Sequence, residues 1–92
     1  MNNRIQDKTD ELLIITAEEA GELTQACTKI LRHGVDEQKI KALTEEVGDM
    51  QCMIELLIAH NMMTQEDIEK RTKVKLEKLK KYSNLWPKKQ KK

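Results

Sequence analysis

Two stretches of this 92-residue chain space their apolar residues like helices, and each is interrupted by acid at the same point. Successive residues of an ideal helix stand about 100° apart around its axis. With Glu19 at zero, Leu12, Ile15, Leu23, Ala26 and Ile30 gather around it. Ala20, Cys27, Leu13 and Leu31 extend that apolar arc to about +120°. With Glu46 at zero, Ala42, Leu43, Met50, Met53, Ile54, Leu57 and Ile58 fill nearly the same arc, with Val47 among them. Glu19 and Glu46 therefore lie inside apolar arcs, Glu22 and Asp49 lie at the margins, and Glu18 faces furthest out. The letters repeat with the geometry: EEAGEL at Glu18–Leu23 returns as EEVGDM at Glu45–Met50, 27 positions later.

Helix signals bracket these arcs, and no strand-like alternation competes with them. The first helix is expected from about Asn3 to Arg32, with Asn3 or Thr9 as its cap and Gly34 as its stop. The second starts after Asp36, a good N-cap, and runs to about His60. The third starts at Thr64, where Thr64 and Asp67 imitate a capping box, and runs to about Tyr82. Pro87 cannot continue it. Short connections favour antiparallel neighbours. The expected fold is all-α: three main helices in an antiparallel hairpin-like arrangement, one domain over 1–87, and a basic tail over 88–92.

Composition says what such a fold needs. Only 38% of the residues are hydrophobic, 36% are charged, and there is no Phe. A chain this short and polar buries little on its own, so homo-oligomerisation is expected to complete the bundle, as a dimer or a dimer of dimers. No apolar run approaches the ~20 residues of a membrane span. Cys27 and Cys52 form no C-x-x-C and no disulfide framework, which points to a reduced, cytoplasmic setting. Charge is uneven: residues 1–64 carry six basic and twelve acidic side chains, and residues 65–92 carry eleven and four. Most of the lysines read as a solvated face. An acidic body and a basic end also suit an anionic ligand held by metal on one side and ammonium groups on the other. With net charge +1 and few aromatics, nucleic acid is not an expected partner.

Acid inside an apolar arc calls for a reason. A single Glu there is ordinarily a boundary residue or a partner for a lysine on the next helix. Two with matched offsets are harder to treat that way. Ionised carboxylates crowded together raise each other's pKa and escape through protonation or a hard cation. Glu19 with Glu22, and Glu46 with Asp49, are i, i+3 pairs, each on one helix face. On neighbouring antiparallel helices they make a four-carboxylate, all-oxygen cluster, suited to Mg²⁺, with Mn²⁺ as substitute, rather than to zinc or copper. Other metal motifs are absent. Ferritin-like bundles need Glu-x-x-His, but Ile30 and Leu57 stand three residues before His33 and His60. The acids lie mid-helix rather than in an EF-hand loop, and H-E-x-x-H does not occur.

The two-part pattern resembles that of the MazG-like nucleotide pyrophosphohydrolases, part of the all-α NTP pyrophosphatase superfamily. That family reads E-E-x-x-E, a spacer, then E-x-x-D. Here EEAGE (Glu18 to Glu22) and EVGD (Glu46 to Asp49) stand 23 residues apart, and the resemblance covers Leu12 to Leu79. It implies Mg²⁺-dependent hydrolysis of a nucleoside triphosphate to the monophosphate and pyrophosphate. By matching positions, Glu19, Glu22, Glu46 and Asp49 would be metal ligands. Glu18 would serve near the attacking water, as general base, or at a second metal. The family's third helix carries basic residues that reach phosphates. KLEK (Lys75 to Lys78) looks similar, so Lys75, Lys78 and Arg71 are the expected substrate contacts.

A different class of function fits part of the same record: a non-catalytic helical interaction module with a basic C-terminal end. Its acids would pair with lysines of a partner subunit. Base specificity has no clear signal, since Trp86 and Tyr82 are the only large aromatics.

Overall fold

The computed structural model of the chain describes residues 8–87. These residues form three α-helices and no strand: α1 Lys8–His33, α2 Glu37–Ala59 and α3 Gln65–Tyr82. The expected start near Asn3 and the basic tail at 88–92 lie outside the described residues. Thr9 lies within α1, so it does not cap that helix.

Local chemistry explains the ends. Gly34 closes α1 with φ +89°, a left-handed conformation that favours glycine, and its N–H donates to Ile30 O at 2.8 Å. Asp36 opens α2: the Lys39 N–H donates to its Oδ1 at 2.8 Å, and the Lys39 ammonium pairs with its Oδ2. The Lys39 side chain first, and then the Lys39 amide, hold the Asp36 carboxyl below its ordinary range. Asn61, at φ +61°, ends α2. Its N–H donates to Ile58 O at 2.9 Å, and the Met62 N–H donates to Leu57 O at 3.0 Å, the paired bonds of a Schellman ending. His60 is the C-cap and His33 the last residue of α1, so both histidines are helix-end residues. Thr64 caps α3 by accepting from the Asp67 N–H at 3.0 Å.

The described residues divide into two compact units between Met62 and Met63. In the first, α1 packs along α2. Leu12, Met53 and Leu57 are buried together, with Ile15 packed against them, so the start of α1 lies beside the end of α2. Ala26 is the other buried apolar residue. Each buried Leu or Met contributes roughly 1.5–3 kcal/mol, so this core is thin. α2 covers only part of the apolar arc of α1. The far side of that arc, with Leu13, Ala20, Cys27 and the 83% exposed Leu31, faces solvent.

The second unit contains α3 and the segment that follows it to Pro87. α3 buries no residue fully; Ile68 and Leu79 are half-buried. Ser83 ends the helix, its hydroxyl donating to Leu79 O at 2.7 Å and accepting from the Leu85 N–H at 3.2 Å. By helix spacing Tyr82 shares a side of α3 with Ile68 and Leu79, yet it is 80% exposed. It is the last residue of α3, so no further turn flanks its ring. Trp86 is half-buried. No described helix is long and apolar enough to cross a membrane.

Candidate functional site

The acids sit where the helix period puts them. Glu19 lies midway along α1, and Glu46 and Asp49 lie one turn apart on α2. Packing of α1 on α2 brings these three together: each offers a carboxylate oxygen, and the three oxygens lie within 4.8 Å of one another. Glu19 and Glu46 are half-buried and Asp49 is exposed. Glu18, Glu22 and Glu45 are also exposed. In both copies, then, the second Glu is the most sheltered acid, which is the order the arcs imply. The depth is less than the arcs imply: both are half-buried, whereas Leu12 and Met53 are buried.

One atom stands out. Glu46 Oε1 is closed off from solvent and has no hydrogen-bond partner among the described residues. Buried polar atoms are nearly always partnered, and an unpaired carboxylate oxygen is costly to hold. Burial first, then the charges of Glu22, Asp49, Glu19 and Glu45 in that order, push the Glu46 carboxyl above its ordinary range. No salt bridge with a described residue relieves the cluster. The ion pairs among the described residues join Asp36 to Lys39, Glu66 to Lys70 and Glu77 to Lys80, each within one helix turn. The lysine-partner explanation for these glutamates therefore finds no partner in the described chain.

Three of the four expected ligands thus converge. Glu22 stays outside the close trio, although its charge is the strongest of the four acting on Glu46. Glu45 received no role from sequence, yet it too acts on Glu46. Its place directly before Glu46 was the available signal. Arg71 and Lys75 line an open groove on α3 with Ile68, Thr72, Leu76 and Leu79. Lys78, about 20° round the helix from Arg71, lines a second hollow with Glu77, Lys81 and Tyr82. All three cations are exposed, and none makes an ion pair with a described residue.

The donor set is chemically coherent. It is all oxygen, anionic, and drawn from two rigid helices, and it includes an oxygen that lacks a donor or cation. Those properties fit a hard divalent cation of the Mg²⁺ or Mn²⁺ type. No family model, curated protein or solved structure matches the chain.

Proposed function

We propose that the chain is a Mg²⁺-dependent nucleotide pyrophosphohydrolase that converts a nucleoside triphosphate to the monophosphate and pyrophosphate. The observation that carries this reading is Glu46 Oε1, closed off and unpartnered at the centre of an acidic trio. The resemblance in sequence pattern supplies the reaction.

In this reading Glu19, Glu46 and Asp49 would hold the cation, with Glu22 at the margin as the fourth carboxylate. Bound there, Mg²⁺ would supply positive charge to phosphate oxygens and acidify water. The remaining work belongs to the chain. Glu18, exposed on α1, takes a proton from the attacking water as general base. Arg71, Lys75 and Lys78 neutralise phosphate charge that one divalent cation cannot balance. The half-burial of Glu19 and Glu46 limits the water around the ligand atoms and strengthens each electrostatic contact. The thin core supports a homo-oligomer, a dimer or a dimer of dimers, that completes the bundle. Its setting is the cytoplasm, where Cys27 and Cys52, both free, stay reduced.

The direct experiment measures pyrophosphate release from a panel of nucleoside triphosphates with Mg²⁺. Glu46→Gln and Asp49→Asn should each abolish release while circular dichroism stays unchanged. Full activity in either variant would end this assignment. One observation favours the interaction module instead: Tyr82 and Leu85, in the lysine-rich end, are 80% and 71% exposed. That module predicts no pyrophosphate release and no response of melting temperature to Mg²⁺.

A further inference from the structure

Six residues of α1 form a row with coiled-coil spacing: Leu13, Ala17, Ala20, Thr24, Cys27 and Leu31, separated by four, three, four, three and four positions. None is charged, and all six are exposed. The row lies about 80–160° round the helix from Glu19, beside the surface that packs on α2. The charged residues of the same span, Glu18, Glu19, Glu22 and Lys29, keep clear of it. A solvated face would carry charge, so this one is composed to be covered.

The row is also symmetric. Leu13 and Leu31 stand nine positions either side of residue 22, Ala17 and Cys27 stand five, and Ala20 and Thr24 stand two. Large residues sit at both ends and small ones in the middle. Gly21, next to the row, has no atom within 4 Å of where a Cβ would stand, so packing inside the chain does not require it. The first turn of α1 is acidic, with Asp10 and Glu11, and the last is basic, with Arg32 and His33.

We propose that this row is the contact with a second copy of the chain, α1 lying antiparallel on α1 across a two-fold axis level with residue 22. That symmetry sets Leu13 against Leu31 of the partner subunit, and Ala17 against Cys27 of the partner subunit, twice over. The small central residues let the helices approach closely. Acidic first turns then lie beside basic last turns, whereas a parallel pairing would set like charge on like. The contact deepens the oligomer of the preceding reading and is independent of the hydrolytic part. It leaves the Glu22 side of the acidic trio uncovered.

The test uses the full chain with Ala17→Cys and Cys52→Ser, so that the thiols at 17 and 27 remain. Within one chain these positions are about 15 Å apart along the helix, beyond disulfide reach, so a bond between them must join two copies. The expected results are a wild-type mass of twice the chain by sedimentation, a 17–27 disulfide dimer under mild oxidation, and a monomer of unchanged helicity for Thr24→Glu. A monomeric wild type would overturn both the interface and the oligomer. A dimer that gives no 17–27 bond and survives Thr24→Glu would overturn the interface alone. A 17–17 bond in a Cys27→Ser background, together with no 17–27 bond when Cys27 is kept, would overturn the antiparallel arrangement.

Discussion

Glu19 and Glu46 stand on different helices, both half-buried, with carboxylate oxygens within 4.8 Å of each other and no ion pair to relieve them. Two like charges held this way weaken the fold unless a proton or a cation joins them. The two remedies predict different measurements.

If the remedy is a cation, stability tracks it. At a Mg²⁺ concentration ten times Kd, binding adds about 1.4 kcal/mol. In a domain of this size that raises Tm by roughly 6–10 °C. Calorimetry with and without Mg²⁺ should show the rise for the wild type and none for Glu46→Gln. A wild-type Tm that ignores both Mg²⁺ and Mn²⁺ would count against any metal at the trio.

If the remedy is a proton, pH shows it. The folded chain holds the Glu46 proton more tightly than the unfolded chain does. Between the ordinary carboxylate range and the raised value, the folded state carries the extra proton. In EDTA this contribution to stability therefore falls as pH rises through that window. Glu46→Gln should raise Tm at neutral pH and flatten that part of the curve. A lower Tm for the variant would mean that Glu46 has a partner in solution.

Asp36 has the opposite sign. Its carboxyl is lowered by Lys39, so its stabilisation is present above the ordinary carboxylate range. It is lost as pH falls through the lowered value. Asp36→Ala should reduce helicity and Tm at neutral pH and lose that deficit in acid. An equal deficit at all pH values would reduce Asp36 to a pH-independent cap.

The two left-handed residues should differ. Gly34→Ala places a Cβ at φ +89° and should cost about 1–2 kcal/mol. Asn61→Gly should cost nothing or stabilise slightly, since glycine adopts that conformation freely. Urea denaturation reads both.

Truncating the core should be severe. Leu12→Ala removes a member of a three-residue buried cluster and should cost about 2–5 kcal/mol, a large share of what a chain this size has. A change under 1 kcal/mol in urea would show that other contacts hold the helices together.

Within the proposed reaction, Glu22 should matter less than the trio. Glu22→Gln is expected to lower pyrophosphate release by about 10–100-fold, as supporting residues around metal sites do, while Asp49→Asn abolishes it. Equal loss in both would show that Glu22 holds the cation as strongly as the trio does.

Local rules made the helices legible. Asp36 and Thr64 are caps whose chemistry works over three residues, and Gly34 ends its helix through its own backbone. Period set Glu19, and Glu46 with Asp49, on the facing sides of α1 and α2, and packing of the two helices brought them to one place. Period gives the direction of a side chain but not its depth, so Glu19 and Glu46 are shallower than their arcs imply. It does place Glu22 at the margin, and Glu22 stays outside the trio. Leu31 shares an apolar arc with the buried Leu12 and Ala26 yet faces water, because an arc is defined by one helix and burial by two. Asn61 carried no stop signal comparable to Gly34, since an asparagine is only an occasional left-handed residue.

The three-residue connection from Gly34 to Asp36 also orders assembly in time. Closing a contact near a connection costs less chain entropy than closing a distant one. Glu19 and Glu46 are 27 positions apart, and Leu12 and Leu57 are 45. A pair of helices zipping outward from the connection meets its acids before it reaches its apolar anchor. The barrier to folding then contains carboxylate repulsion with little burial yet to offset it. Acid, or a divalent cation, is expected to speed folding as well as to strengthen the folded state.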